Sequence, residues 1–159
     1  MNTGISIHRA TTEDSLEIAV MVGELLNEIM TIVGVPSFNF SLEETNARLR
    51  DFIRGEKYFV YFASREKADA VGFITLFESY ALYAEGVFGT ISEFFVRPRY
   101  RSQNVGFNLM EQAKLFAKSR GWKRLEVTTP PLPQFDKTLA FYQREGFVVS
   151  GGRKLRMLL

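Results

Sequence analysis

No cysteine occurs anywhere in the chain, and that one absence removes disulfides, thiolate nucleophiles and thiolate metal sites together. Histidine is almost as scarce. His8 stands alone, which excludes a His-rich metal site and leaves only one residue for any Ser-His-Asp nucleophile. Net charge is nearly absent too: 20 basic side chains against 18 acidic ones give +2, too little to draw the whole chain toward nucleic acid or anionic lipid. Nothing approaches the roughly 18 apolar residues of a membrane span, and MNTGISIHRATTEDS lacks the apolar run of a signal peptide. The expectation is a soluble cytoplasmic protein, one domain over 1–159, long enough to bury a core without covalent staples. Aromatics, by contrast, are plentiful, and fifteen phenylalanines point to a bulky interior.

The hydrophobic pattern gives the element order. ISIHRA (5–10) alternates as a strand, and Thr11 or Thr12 then caps a helix whose apolar positions recur at helical spacing to about Met30. After the linker IVGVPSFNF, Ser41 with Glu44 reads as a capping box for a second helix ending near Gly55. Strands follow at 58–64, 70–82 and 90–96, the first two joined by the charged turn REKAD. A helix over 105–120, a strand at 124–129, a short helix within QFDKTLAFYQRE and a closing hairpin, FVVSGGRKLRMLL, complete the chain. The order β-α-α-β-β-β-α-β-α-β-β implies a meander followed by a βαβ unit, so strands 90–96 and 124–129 should be parallel. The expected fold is α/β: a mixed, mostly antiparallel sheet with helices on its faces. RKLRMLL is a candidate for pairing across a homodimer.

RPRYRSQNVGFNLM (97–110) sets three arginines within five positions, just before a helix. A DNA-recognition helix would carry cations in its first turns, but NVGFNLMEQA has none there. A solvated loop is the plainest account of any charge run. The geometry of strand, short turn and glycine in the first helical turn supports a phosphate site instead. Amide groups at a helix start are unsatisfied, the macrodipole makes that end positive, and Gly106 admits an oxygen closely.

VRPRYRSQNVGFNLM resembles the acyl-coenzyme A signature of the GNAT superfamily of N-acetyltransferases. Arg101 takes the Arg/Gln position, Gly106 matches the second glycine, and Asn104 replaces the first. Asparagine is the non-glycine residue that best tolerates a left-handed backbone. ISIHRATTEDSLEI is similar to the family's opening strand and helix, and LAFYQREGF to its late Phe-Tyr-x-x-x-Gly-Phe motif.

The resemblance implies acetyl transfer from acetyl-CoA to a primary amine, by direct attack in a ternary complex and without a metal. Strands 90–96 and 124–129 would splay, with main-chain groups of Phe94 and Val96 meeting the pantetheine arm. Arg99, Arg101, Ser102, Gln103, Asn104, Val105 and Gly106 would hold the phosphates. A lysine-like amine is almost wholly protonated at pH 7, so a base is needed. Glu93 is the candidate, in the otherwise apolar EFFV, with Glu78 and Glu126 as alternatives. A carboxylate that caps a strand edge or pairs with an arginine is the plain alternative for Glu93. Tyr142 stands where the family keeps the acid that protonates the departing thiolate; a tyrosine packed on the sheet is its plain alternative. The family's coenzyme-contacting asparagine is missing, Phe135 holding its place beside Asp136. Glu24, Asn27 and Glu28 of the first helix, Phe38 and Phe40 of the linker, and Tyr80 and Tyr83 are candidates for the acceptor pocket. His8 reads as structural. A non-catalytic acyl-CoA-binding module is the rival expectation.

Overall fold

The computed structural model describes residues 4–66 and 69–159, so part of the REKAD turn, Lys67 and Ala68, lies outside the described residues. The chain forms two compact units, one reaching to Thr128 and one from Thr129 to Leu159. The first holds β1 (Ile5–Arg9), α1 (Ser15–Val33), α2 (Leu42–Arg54), β2 (Phe59–Arg65), β3 (Asp69–Ala81), β4 (Gly86–Val96), α3 (Val105–Ser119) and β5 (Leu125–Val127). Its sheet has the order β1-β2-β3-β4-β5, antiparallel throughout except for the parallel β4–β5 pair. That is the mixed, mostly antiparallel α/β sheet the element order implied.

Local chemistry sets the helix ends. Thr11 accepts the Glu13 amide, and its own amide donates to Asp14 at 2.8 Å, closing a capping box around a 3-10 turn that leads into α1. The helix runs past Met30, through Gly23, to Val33 and ends where Gly34 takes a left-handed backbone and returns its amide to Met30. Ser41 accepts the Glu44 amide, while the Glu44 carboxylate turns outward to Arg48 at 3.2 Å, so only half of the expected second box forms.

Alternation along the strands divides the core between the two faces of the sheet. Val60, Phe62, Phe73 and Phe95 pack with Ile18 and Met21 of α1 and Leu49 of α2. Phe59 and Tyr61 face the other way, onto Phe116 of α3, and Phe59 also meets Trp122. Each such buried side chain contributes about 1.5–3 kcal/mol from area removed from water.

Two irregularities mark β4. Between Ile74 and Leu76 the β3–β4 register slips, so that Thr75 alone stands opposite Ser92 and Glu93. This is a β-bulge. The β4–β5 ladder then ends at Ile91↔Val127, although β4 itself continues to Val96. β5 is shorter than the expected 124–129, and the prolines that follow it, Pro130 and Pro131, have no amide to extend a ladder.

The second unit contains α4 (Asp136–Arg144), with buried Tyr142 between the rings of Phe141 and Phe147. The closing hairpin is a correction: residues 147–159 form no strand. Val148, Val149, Leu155, Met157, Leu158 and Leu159 are all more than 75% exposed, and a hairpin with no face to bury is marginal in water. RKLRMLL is therefore not a strand here.

Gly89 supports the start of the β4–β5 ladder. A β-carbon there would collide with the Trp122 ring, which is buried against Phe59 and Phe116 and cannot swing aside. Gly89→Ala should therefore cost about 1–3 kcal/mol and lower the melting temperature by roughly 2–12 °C. An unchanged melting curve would show that the Trp122 site is loosely packed.

Candidate active site

The bulge aims Glu93. Cross-strand partners share a face, so Phe95 opposite Phe73, and both Ser92 and Glu93 opposite Thr75, belong to the α1/α2 side of the sheet. Thr75 is 1% exposed, and its hydroxyl accepts the Glu93 amide at 2.9 Å while contacting Oε2 of the Glu93 carboxylate. The Tyr58 hydroxyl donates to Oε1 at 3.3 Å. Burial, the largest influence, raises the Glu93 carboxyl above its ordinary range, and the bonds from Thr75 and Tyr58 draw it partly back. Burial first, then the charge of Glu93, pushes the Tyr58 phenol up to about 12, which keeps it a donor at neutral pH. Tyr58 and Thr75 belong to no motif of the sequence. Their signal was slight, a threonine inside the apolar run GFITLF and a tyrosine at a strand mouth.

Beyond Val96 the chain makes a 3-10 turn, Pro98–Tyr100, and then adopts left-handed backbone at Ser102 (φ 62°) and Asn104 (φ 64°) before α3 begins at Val105. The substitution at Asn104 thus sits where a glycine-like conformation is required. The first amide bond into α3 runs from Asn108 to Asn104 at 3.0 Å, so the amides of Val105, Gly106 and Phe107 open the helix without intrahelical partners. Left-handed turns feeding a helix N-terminus form an anion-binding concavity.

The arginines of this loop divide their work. Arg97 donates to Glu24 at 3.0 Å and to the Ala70 carbonyl at 2.9 Å. Arg101 grips Glu28 with both terminal nitrogens, at 2.9 and 3.0 Å, and donates through Nε to the Val96 carbonyl. Both therefore bind α1 to the end of β4. Arg99 remains outward, 72% exposed, against the ring of Tyr100, with Asp69 at 4.0 Å. Gln103 reaches back to the Arg99 carbonyl. Glu24, Asn27 and Glu28 do come together, lining a cleft of about 250 Å³ with Phe95 and Pro98. Phe95 lies two residues along β4 from Glu93, about 7 Å at strand spacing.

Of the other expected residues, Tyr80 and Tyr83 stand apart from Glu93. Tyr80 pairs with Val87 at the far end of β4, six residues and about 20 Å from Glu93. Tyr83 follows in an exposed 3-10 turn, near Arg124. Glu78 accepts from Trp122 at 2.9 Å and from Arg120 and Tyr80, and these bonds, the indole first, hold its carboxyl below the ordinary range. Glu126 pairs with Arg124 at 3.4 Å. Phe38 is partly exposed, and Phe40 covers Gly23 of α1. His8 lies 3.7 Å from Asp14 and edge-on to Phe62. In the second unit, burial pushes the Tyr142 hydroxyl upward, and buried Phe135 offers no polar side chain at the start of α4.

The sequence of residues 24–147 matches the model of the acetyltransferase (GNAT) family. The chain belongs to the GNAT acetyltransferase family. It is 28% identical to an aminoalkylphosphonate N-acetyltransferase of Salmonella typhimurium over 96% of this chain and 90% of that one. Among solved structures it resembles an aminoglycoside acetyltransferase from an uncultured soil metagenomic sample (TM-score 0.74, 18% identity, 99% and 98% of the two chains). It also resembles a predicted acetyltransferase of Clostridium acetobutylicum solved with acetyl-CoA (TM-score 0.77, 12% identity, 96% of each chain).

This GNAT protein is an N-acetyltransferase, and enzymes of its family use acetyl-CoA. Among the described residues of the acetyltransferase, no cluster of three or more His, Cys, Asp or Glu is placed to hold a metal, and no helix is long and apolar enough to cross a membrane.

The partly buried position of Glu93 makes stability depend on pH. A carboxyl raised in the fold contributes stability below the ordinary carboxylate range, and that contribution is lost as pH rises through the raised value. Glu93→Gln, which cannot ionise, should therefore gain stability over the parent at pH 7, and the gain should vanish near pH 4. Urea melts at both pH values check this. A variant less stable at pH 7 would mean that the Thr75 and Tyr58 bonds outweigh burial.

Proposed function

We propose that this acetyltransferase moves the acetyl group of acetyl-CoA to the primary amine of a small acceptor by direct attack in a ternary complex. The whole chain, 1–159, would serve as one acetyltransferase domain. The observation that carries the reading is Glu93: a carboxylate held by two hydroxyls, with a raised pKa, on β4 just beyond the point where the β5 ladder ends.

Acetyl-CoA supplies the acyl group as a thioester. Its phosphates fit the left-handed turn at Ser102 and Asn104 and the amides of Val105 and Gly106, with Arg99 and Gln103 alongside. In this reading the guanidinium of Arg101 serves α1 rather than the phosphates, since Glu28 and the Val96 carbonyl engage it. Main-chain groups of Phe94 and Val96 lie on β4 beyond the end of the β5 ladder, and in this reading they meet the pantetheine arm.

An alkylammonium is neutral in only about one molecule in a few thousand at pH 7, which without a base adds about 4–5 kcal/mol to the barrier. Glu93, ionised and poised above the usual carboxylate range, accepts that proton directly or through water. The cleft of Glu24, Asn27, Glu28 and Phe95 opens on the same face of the sheet and is the proposed acceptor entrance. Tyr80 and Tyr83 have no part in this reading. Tyr142 takes the acid role on the strength of its motif and of a hydroxyl that burial keeps protonated. The acceptor class to try first is the aminoalkylphosphonates, on the strength of 28% identity across nearly all of both chains.

Acetyl-CoA or coenzyme A at a hundred times Kd should add about 2.7 kcal/mol of stability, roughly 5–11 °C in the melt, while adenosine should add nothing. No shift at saturating ligand would remove the phosphate site. In thiol-release assays over an amine panel, Glu93→Gln should lower kcat about 10²–10⁴-fold while leaving the coenzyme A shift intact. The acid limb of kcat/KM should lie above the ordinary carboxylate range and disappear in that variant; an unchanged limb would assign the base elsewhere.

A further inference from the structure

We propose that Thr75 is a positioning residue for acetyl transfer: its hydroxyl ties the Glu93 carboxylate to the backbone of its own bulge and so fixes the base on the α1/α2 face. The proposal rests on the reading of Glu93 as the base.

Thr75 is the single β3 residue facing two residues of β4, and it is 1% exposed. A threonine hydroxyl has one proton to give and two lone pairs. Here one lone pair takes the Glu93 amide at 2.9 Å. The proton has two acceptors within reach, both on the same residue: Oε2 of the side chain, and the main-chain oxygen at 3.4 Å. With Glu93 ionised, the charge-assisted bond to Oε2 takes the proton. With Glu93 protonated, the carboxyl can donate to the hydroxyl, which then turns its own proton to the Glu93 carbonyl. Both protonation states are therefore satisfied by one rotating hydroxyl without moving a heavy atom, and a partly buried base needs that property if it is to gain and lose a proton each cycle.

The titratable group in hydrogen-bonding contact with Glu93 is Tyr58, which enters β2 from the α2 side, where it packs against Phe52. The charges that α1 brings to this face, Glu24 and Glu28, are paired with Arg97 and Arg101. The hydroxyl of Thr75 is thus the contact that joins the orientation of the carboxylate to the geometry of the strand.

The test reads Glu93 directly and needs no acceptor. In protein labelled with 13C at glutamate side-chain carboxyls, the Glu93 resonance is identified by its loss in Glu93→Gln, and its titration is followed in each variant. Thr75→Val keeps the shape and deletes the hydroxyl; it should raise the Glu93 midpoint by roughly one to two pH units, the equivalent of one hydrogen bond to a charged group. Thr75→Ser should restore it. With an acceptor amine in hand, Thr75→Val should lower kcat about tenfold or more and leave KM for acetyl-CoA within about twofold. Thr75→Ala provides the same deletion if the valine variant does not fold. A Glu93 midpoint that is unmoved by either deletion overturns the proposal, as does a kcat loss that Thr75→Ser fails to rescue. If Glu93→Gln itself keeps full activity, the base reading falls instead, and the titration still reports whether Thr75 holds the carboxylate.

Discussion

Everything at the candidate site depends on the pairing of β3 with β4 and on the one extra residue that β4 carries within it. The long antiparallel ladder fixes two neighbouring strands, and the slip at Thr75 places Ser92 and Glu93 together opposite one residue. Without that slip, strict alternation would phase the strand differently on its two sides of residue 92. With it, Ile91 and Phe94 share one face while Glu93 and Phe95 share the other. A partly buried carboxylate then stands on the core side of the sheet, and its contacts with Thr75 and Tyr58 help to offset the loss of water.

The second constraint is the pair of ionic links between α1 and the loop after β4. Arg97 with Glu24 and Arg101 with Glu28 lie four residues apart on both segments, so each repeats the other one helical turn along α1. Exposed pairs contribute little to stability one at a time. Arg97 and Arg101, however, also donate to main-chain carbonyls of Ala70 and Val96. The loop that ends in the left-handed Ser102–Asn104 turn is therefore anchored on its inner side, and Arg99 is left facing outward.

Much of this was legible in order and in kind. Helical spacing, caps and alternation located each element of the first unit to within a few residues, and the run from 97 to 110 announced the helix that starts at Val105. Asn104 was read as a tolerable stand-in for glycine, and it does adopt the left-handed backbone. The closing hairpin was misread because alternation in FVVS and RKLRMLL describes what a strand would look like, not whether a partner edge exists to pair with it. Tyr58 and Thr75 escaped notice because neither belongs to a motif, and their contact with Glu93 spans 35 and 18 residues of sequence.

By itself the sequence determined the periodicities, the caps and the class of fold, because these are properties of neighbouring residues. Tertiary structure alone decided where the bulge falls, which hydroxyls meet Glu93, and that Arg101 turns to Glu28 rather than outward. Register slips and ion-pair choices depend on which strands and helices lie side by side, and a difference of one residue in pairing, invisible in any local window, reverses the face on which a side chain is delivered.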